Sequence, residues 1–248
     1  MLPKIAKLTF VGFMIAGSLG SASIAEAAPD APRETITVAD PSGKKAVPNL
    51  TGVGLLQSNS GSCTAVVVAG GRGNIIATNA HCVSEKTGLR FMPQYHAGQT
   101  PVGSFPIYSF TTINGWTSGG YGDVSFAVVG KNASGQMLSS VAHPSGITFN
   151  GPKSGNIDFY GYDASGTLYL RCENQPTASS TSSSSVLKTA CKSVPGASGG
   201  PWFEYGKNQI KALNYGGTES ASYASYLDGG AFNTYNKAVE VSNKNPSW

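Results

Sequence analysis

The sequence predicts an all-β fold, either a barrel or a sandwich of antiparallel strands. Its 248 residues include 32 glycines and 14 prolines, a combined share well above the roughly 12% of average proteins, which favours tight turns over long helices. The apolar runs are short, rich in Val, Ile, Tyr and Phe, and separated by turn residues, which is typical of antiparallel strands. No repeat of about 20–50 residues is visible, and this argues against a solenoid or a propeller.

Seven apolar runs are the clearest candidate strands. They are residues 64–69, 74–78, 123–129, 157–162, 167–171, 201–205 and 209–215. Residues 163–166, Asp-Ala-Ser-Gly, predict a hairpin turn between two of them. The tract 177–185 is nearly all Ser and Thr, so we expect an exposed loop there. Helical spacing of apolar residues occurs only near the end, at 234–244.

The N-terminus has the layout of a secretory signal. Lys4 and Lys7 precede an apolar run of about a dozen residues, and small residues ending in Ala-Glu-Ala follow it, which predicts a signal peptide over residues 1–27. The run is too short to span about 30 Å of hydrocarbon. Residues 28–48 are polar and extended, and they are either a propeptide or a flexible arm. We therefore expect a secreted, extracellular protein with no membrane contact after signal removal.

Four cysteines in an exported chain suggest two disulfides. Three pairings are possible from sequence alone, and proximity favours Cys63–Cys82 and Cys172–Cys191. A zinc site is the rival interpretation, but the chain has no Cys-x-x-Cys pair and only three histidines, so we expect no metal.

The charge balance gives no sign of a nucleic-acid partner. The net charge is +4, from 17 basic and 13 acidic residues, with no basic concentration along the chain. The apolar content is ordinary and the net charge small, so the chain as a whole is not predicted to be disordered.

The segment Gly-Ala-Ser-Gly-Gly-Pro at 196–201 is the strongest candidate for chemistry. Glycines around Ser198 allow a sharp turn that exposes the hydroxyl, and they allow nearby N–H groups to face one small space, as an oxyanion requires. The alternative is an ordinary glycine-rich turn. A serine hydroxyl needs a base and an orienting acid before it can act as a nucleophile.

The order of candidate partners along the chain separates three catalytic arrangements. An α/β-hydrolase needs a histidine after its nucleophile, but His81, His96 and His143 all precede Ser198. His96 and His143 lie in loop-like sequence, and we expect structural or surface roles for both. His81 directly follows an apolar strand and adjoins Cys82.

The acid is best assigned to Asp123. A subtilisin-like order needs an aspartate before His81, but the candidates lie in the polar segment 28–48. Asp123 opens an apolar strand between the histidine and the serine. The rival acids are Asp158, inside a strand-like run, and Asp163, in a turn. The residues therefore favour the order His, Asp, Ser.

Three segments then resemble the signatures of the chymotrypsin/trypsin-like serine protease family: residues 78–82, 122–127 and 196–201. The resemblance spans residues 50–238 and implies two six-stranded antiparallel β-barrels of the chymotrypsin type, followed by a short C-terminal helix. It implies a protease domain at 49–248 whose barrels divide near 130–150. Cys63 and Cys82 match the family's histidine-loop disulfide.

The resemblance also implies the roles of the site residues. Ser198 would attack the scissile carbonyl, His81 would take and return its proton, and Asp123 would orient the imidazole. The N–H groups of Gly196 and Ser198 would form the oxyanion hole. No cofactor or metal is implied, the partners are protein or peptide substrates, and we expect a monomer.

The sequence departs from the family pattern just before the nucleophile. Most members have an aspartate there, which pairs with a newly cut N-terminus when the zymogen is activated. Ala197 cannot form that ion pair. Some bacterial and fungal members also lack this aspartate, and this favours the secreted microbial branch. Trimming of residues 28–48 is then expected to affect folding or access rather than switching.

The substrate pocket is implied by the resemblance alone. Its walls are expected at Ser193, Asn214, Tyr215 and Gly216. No acid occurs between Cys191 and Ser198, but Asp228 could reach the pocket from the next strand, so a preference for basic residues stays open.

Two other functions are compatible with the same sequence. One is a catalytically inactive, secreted protease-like protein that binds a protein or a glycan, and the other is an esterase that uses the same three residues.

Overall fold

The structure of the protein, a computed structural model, describes residues 34–36, 50–118, 120–166, 169–180 and 183–248. Within these residues the chain forms fourteen strands and one α-helix. The strands are β1 (Glu34–Ile36), β2 (Val53–Ser58), β3 (Gly61–Val68), β4 (Ile75–Thr78), β5 (Arg90–Pro93), β6 (Phe105–Thr112), β7 (Ser125–Val129), β8 (Gly146–Phe149), β9 (Gly155–Tyr162), β10 (Tyr169–Ser180), β11 (Ser183–Thr189), β12 (Pro201–Glu204), β13 (Gln209–Gly217) and β14 (Ser222–Tyr226), and the helix is α1 (Gly229–Lys244).

The first barrel contains six antiparallel strands, closed in the order β2, β3, β4, β7, β6, β5. Successive side chains of a strand point to opposite faces, so one set fills the barrel and the other faces outward. Ile76 and Phe105 are fully buried in the interior. On the other face, Phe126 of β7 packs edge-on against Tyr235 of α1. Strands β4 and β7 are therefore buried on both faces, and the candidate site lies at their ends.

The second barrel is also closed by six antiparallel strands, in the order β9, β10, β11, β14, β13, β12. Phe159, Leu187 and Trp202 are fully buried in its interior. Strand β8 adds outside the ring, parallel to β13, and β1 pairs antiparallel with β8. The predicted fold class, two six-stranded antiparallel barrels followed by a C-terminal helix, is confirmed.

Helix α1 begins at an N-cap supplied by Asp228. The Asp228 carboxylate accepts hydrogen bonds from the N–H groups of Gly230 and Ala231, at 2.9 and 3.1 Å, which satisfies two of the donors that a helix start leaves unpaired. Ala231 and Tyr235, four residues apart on one face, are buried against the barrels. The helix predicted at 234–244 is confirmed and begins five residues earlier, at Gly229, because Asp228 supplies its cap.

The prediction of a loop at 177–185 is wrong for the described part of that tract. Strand β10 continues through Ser180 and β11 begins at Ser183, so the described residues of the tract belong to two paired strands of the second barrel. The Thr177 hydroxyl donates to the carbonyl oxygen of Gly155, and the Thr189 hydroxyl donates to that of Pro176. Threonine is compatible with strands when its hydroxyl is satisfied in this way, and composition alone does not reveal the backbone partner.

The N-terminal predictions fall mostly outside the described residues. Both the signal peptide at 1–27 and all of residues 28–48 except Glu34–Ile36 lie there. Within the part of the chain that is described, no helix combines the length and hydropathy that a membrane crossing requires.

Candidate active site

His81 and Asp123 form a close pair at the ends of two adjacent strands. His81 lies in the short 3-10 turn Ala80–Cys82 that follows β4, and Asp123 lies just before β7. Because β4 and β7 pair antiparallel, the end of one lies beside the start of the other. The His81 Nδ1 atom is 2.6 Å from Asp123 Oδ2, and the His81 backbone N–H donates to Oδ1 at 3.0 Å.

This geometry favours one tautomer of a neutral imidazole. An ionised carboxylate only accepts hydrogen bonds, so the proton of the neutral ring lies on Nδ1 and the lone pair on Nε2. The Asp123 side chain is 4% exposed, whereas that of His81 is 39% exposed. A buried carboxylate therefore holds a partly exposed imidazole.

A disulfide borders the imidazole. Cys63 and Cys82 are joined, and so are Cys172 and Cys191, which is the pairing that proximity favours. The Cys82 Sγ atom lies 3.6 Å from His81 Nε2. These two sulfurs and the imidazole also form a compact cluster of metal-ligand atom types. Both sulfurs are already used in the disulfide, so the cluster has no thiolate with which to bind a metal.

Ser198 lies in a tight loop that requires glycine at two positions. Gly196 has φ +95° and Gly199 has φ +80°. A Cβ on Gly196 would overlap the Ala164 backbone, and one on Gly199 would overlap the Thr64 carbonyl oxygen. The loop therefore passes close to both barrels where other residues would not fit.

Asn79 links this loop to the acid, and the sequence analysis did not identify it. The Asn79 side-chain oxygen accepts from the Gly199 N–H at 2.6 Å, and its side-chain nitrogen donates to the Asp123 carbonyl oxygen at 2.6 Å. Asn79 is fully buried. A buried carboxamide with both ends satisfied fixes the spacing of the groups that it joins. The sequence feature that could have identified Asn79 is its place as a polar residue at the end of the apolar run that precedes His81.

Thr64 of β3 makes a second link between the barrels. Its hydroxyl donates to the Gly196 carbonyl oxygen at 3.0 Å and accepts from the Tyr162 N–H at 2.9 Å. Its backbone N–H donates to the Ser198 carbonyl oxygen at 2.7 Å, and its own carbonyl oxygen accepts from the Thr78 hydroxyl. The Ser198 loop is therefore held from the first barrel by direct hydrogen bonds.

The Ser198 hydroxyl donates to the Tyr215 carbonyl oxygen at 3.3 Å. Among the described residues this is its only hydrogen-bond partner, so the hydroxyl is not bonded to His81 in this conformation. The structure thus brings His81 and Asp123 together directly. It connects the Ser198 loop to them through Asn79.

Two backbone N–H groups of the Ser198 loop have no hydrogen-bond partner among the described residues. The Ala197 N–H donates to the Val194 carbonyl oxygen, whereas the N–H groups of Gly196 and Ser198 on either side make no hydrogen bond there. The Ser198 loop therefore has two backbone N–H groups without an internal acceptor.

The residues expected to form the substrate pocket lie beside the nucleophile loop. Asn214, fully buried, donates from its side-chain nitrogen to the Ser193 hydroxyl at 3.0 Å and to the Ala197 carbonyl oxygen at 3.3 Å. Beside Gly216 there is open space, since a Cβ built on it meets nothing within 4 Å. Tyr215 is half-buried, and this burial is the main cause that raises the pKa of its phenol.

The suggestion that Asp228 reaches this pocket is wrong. Its carboxylate caps α1 instead, with two backbone N–H partners. The rival acids are also used elsewhere. Asp158 accepts from the Asn174 N–H, and Asp163 accepts from the Ser165 hydroxyl within the β9–β10 turn.

The fold defined by these two barrels is that of the chymotrypsin-like serine proteases. Three solved structures illustrate the similarity. A thermostable serine protease, AL20, from an extremophilic microorganism matches with 24% identity and a TM-score of 0.69, over 77% of this chain and 98% of its own. Protease Anisep from Arthrobacter nicotinovorans matches with 23% identity and a TM-score of 0.68, over 79% and 98%. A Glu endopeptidase matches with 17% identity and a TM-score of 0.64, over 86% and 98%.

Neither protein-family models nor curated protein sequences match the chain. At these identities the structural similarity establishes the fold, and the chemistry has to be argued from the site itself.

Proposed function

We propose that the protein is a secreted serine endopeptidase in which Ser198 is the nucleophile, His81 the general base and Asp123 the orienting acid. The observation that carries this proposal is the 2.6 Å pairing of His81 Nδ1 with a buried Asp123 carboxylate, which leaves Nε2 as an acceptor. The Asn79 link to Gly199 adds support, because it holds the serine loop beside that pair.

In the proposed reaction, Ser198 Oγ first turns from the Tyr215 carbonyl toward His81 Nε2. Oγ then forms a bond to the scissile carbonyl carbon while its proton moves to Nε2, and Asp123 stabilises the imidazolium. The N–H groups of Gly196 and Ser198 would stabilise the negative oxygen, each contributing about 3–4 kcal/mol to the transition state.

The second half of the reaction regenerates the enzyme. The imidazolium proton passes to the leaving amine nitrogen as the C–N bond breaks, which leaves an ester on Ser198. Water then attacks that ester while His81 takes its proton. The bond between the acyl carbon and Ser198 Oγ breaks and His81 returns the proton to Oγ, which releases the carboxylic acid and restores the serine hydroxyl.

The proposed location is extracellular. Both disulfides persist more readily in an oxidising compartment than in the cytosol. The signal peptide at 1–27 and its removal are part of the same proposal, as are a propeptide role for residues 28–48 and a monomeric state.

The direct test is labelling with a fluorophosphonate together with hydrolysis of an unstructured protein substrate. Wild type should be labelled and Ser198→Ala should not, and Ser198→Ala should lower kcat by about 10⁶-fold. Ser140→Ala removes an exposed hydroxyl outside the site and should behave as wild type. Peptidase activity retained by Ser198→Ala would contradict the assignment.

A second candidate is a binding protein without catalysis, favoured by the Ser198 hydroxyl being bonded to Tyr215 rather than to His81. Such a protein would not be labelled by the fluorophosphonate.

An esterase would be labelled and would cleave a peptide ester but not the matching peptide amide, so the two substrates are assayed in parallel.

A further inference from the structure

A buried acceptor whose orientation is fixed lies beside the loop of the proposed nucleophile. Asn214 donates from Nδ2 to the Ala197 carbonyl oxygen, and a backbone carbonyl can only accept. The nitrogen must therefore face Ala197, and the amide cannot be flipped. Asn214 Oδ1 then lies on the opposite side, fully buried, and has no hydrogen-bond partner among the described residues. An unpaired buried acceptor is destabilising unless a ligand satisfies it.

A free donor lies next to this acceptor. The Ser193 hydroxyl oxygen accepts from Asn214 Nδ2 at 3.0 Å, and its own proton has no acceptor among the described residues. Ser193 is 5% exposed, and its backbone N–H donates to the Thr218 carbonyl oxygen, which fixes its position. One acceptor and one hydroxyl donor are thus presented together.

Hydrogen bonds place the segment of Asn214 beside the loop of the proposed nucleophile. The Asn214 carbonyl oxygen accepts from the Gly199 N–H, and the next residue, Tyr215, accepts from the Ser198 hydroxyl. One residue further, Gly216 borders open space. A substrate side chain extending from the scissile bond past Gly216 would approach Ser193 and Asn214.

Three charged residues of these segments, Lys192, Glu219 and Asp228, already have partners. Lys192 and Glu219 form an exposed ion pair with each other, at 2.8 Å. Asp228 caps α1. A basic substrate side chain would therefore lack a carboxylate partner, and an acidic one would place its charge against Asn214 Oδ1.

We propose that this pocket selects a primary carboxamide, so that the enzyme cleaves after glutamine, and after asparagine less efficiently because its side chain is shorter. The substrate amide oxygen would accept from the Ser193 hydroxyl, and its NH₂ group would donate to Asn214 Oδ1. An apolar side chain leaves that oxygen unpaired, and a site built for hydrogen bonds rejects such substrates. This inference rests on the proposed endopeptidase function and specifies its substrate class.

The experiment compares peptides that differ only in the residue before the scissile bond, which is Gln, Glu, Leu or Lys. Gln and Glu have nearly the same shape, so their ratio isolates the effect of charge. We expect kcat/KM for the Gln peptide to exceed that for each of the others by about tenfold or more. A Glu, Leu or Lys peptide cleaved as well as the Gln peptide would overturn the proposal.

Two variants assign the preference to the pair. Ser193→Ala removes the donor and should lower the Gln-to-Leu ratio of kcat/KM by about tenfold. Asn214→Leu removes the acceptor and should lower the same ratio. Ser222→Ala is the matched control, since that hydroxyl is buried nearby but already donates to the Cys191 carbonyl oxygen, and its ratio should equal that of wild type.

An internal role for Asn214 predicts a different result. Trp202 Nε1 is also buried without a partner among the described residues, and a water bridging it to Asn214 Oδ1 would satisfy both. In that case Asn214→Leu would lower stability and leave the Gln-to-Leu ratio unchanged, which would overturn the proposal.

Fluorophosphonate labelling separates the two levels of failure. A protein that is labelled and cleaves peptides without a preference for Gln retains the proposed function and refutes the proposed specificity. A protein that is neither labelled nor active on any of the four peptides refutes both.

Discussion

The Asn79 side-chain oxygen accepts the Gly199 N–H at 2.6 Å. This bond joins the loop of the proposed nucleophile to the turn of the proposed base. The same carboxamide donates to the Asp123 carbonyl oxygen, so one buried residue touches the segments that carry all three proposed catalytic groups. Asn79 contacts none of the reacting atoms and is a positioning residue.

We expect Asn79→Ala to lower kcat by about 10- to 100-fold, because a small displacement of a catalytic loop has effects of that size. KM should change little, since Asn79 lies outside the pocket. The measurement is kcat and KM for the Gln peptide, together with the rate of fluorophosphonate labelling.

Asn74→Ala is the matched control. Asn74 is also fully buried and bonded at both ends of its carboxamide, to the Val129 carbonyl oxygen and the Ser242 hydroxyl. Each variant should lose about 1–3 kcal/mol of stability for its unpaired groups. An equal loss of kcat in both would show that Asn79 acts through stability alone.

The two disulfides allow a second matched comparison, since each joins cysteines 19 residues apart. Replacing either pair by serine should lower the free energy of unfolding by about 3 kcal/mol. Only Cys63–Cys82 adjoins His81, so its removal should also lower the kcat of the folded protein. Urea unfolding and kcat are measured on both double variants, and equal kcat values would contradict a positioning role.

The sequence was sufficient to predict the fold class and the pairing of His81 with its acid. Short apolar runs separated by turns predicted an all-β chain, and the turn at Asp163 is confirmed by the hydrogen bond from the Gly166 N–H to the Asp163 carbonyl oxygen. The apolar runs placed His81 and Asp123 at the ends of strands, and those strands are neighbours in the barrel.

Other features depend on contacts between distant residues. Asn79 bonds to partners 44 and 120 residues away, which no local pattern reveals. Strand β14, Ser222–Tyr226, is built mainly of serine, alanine and tyrosine and lacks the usual apolar signal. The sequence left open whether Asp228 reaches the pocket, because its role as a helix cap is visible only once the start of α1 is known.

Stability at alkaline pH should depend on Tyr162. Burial, and secondarily Tyr95, raise the pKa of the Tyr162 phenol to about 12, compared with about 10 in an unfolded chain. The folded state thus disfavours the phenolate. The contribution of the neutral phenol to the free energy of unfolding is therefore fully present below pH 10 and is lost as the pH rises toward 12. The free energy of unfolding in urea should therefore fall from pH 9 to pH 11.

Tyr162→Phe tests this assignment. The variant loses the hydrogen bond to the Tyr95 carbonyl oxygen, about 1 kcal/mol at pH 9, and its stability should fall less steeply toward pH 11. Tyr205→Phe changes an exposed tyrosine and should follow wild type at both values. The same slope in all three proteins would refute the role of Tyr162.

Removal of the N-terminal arm, residues 28–48, should change stability and leave catalysis intact. Ala197 has no carboxylate to pair with a new N-terminus, and the Thr64 N–H already holds the Ser198 carbonyl oxygen. Strand β1 pairs with β8, and Ile36 packs at the edge of the core. A chain that begins at residue 49 should keep its kcat and lose about 1–2 kcal/mol of stability relative to one that begins at residue 28. Ile36→Asp in the longer chain should reproduce that loss.

Activity confined to chains with one particular terminus would instead indicate switching by terminal insertion. Measurements of kcat and of urea unfolding on the three proteins distinguish these outcomes.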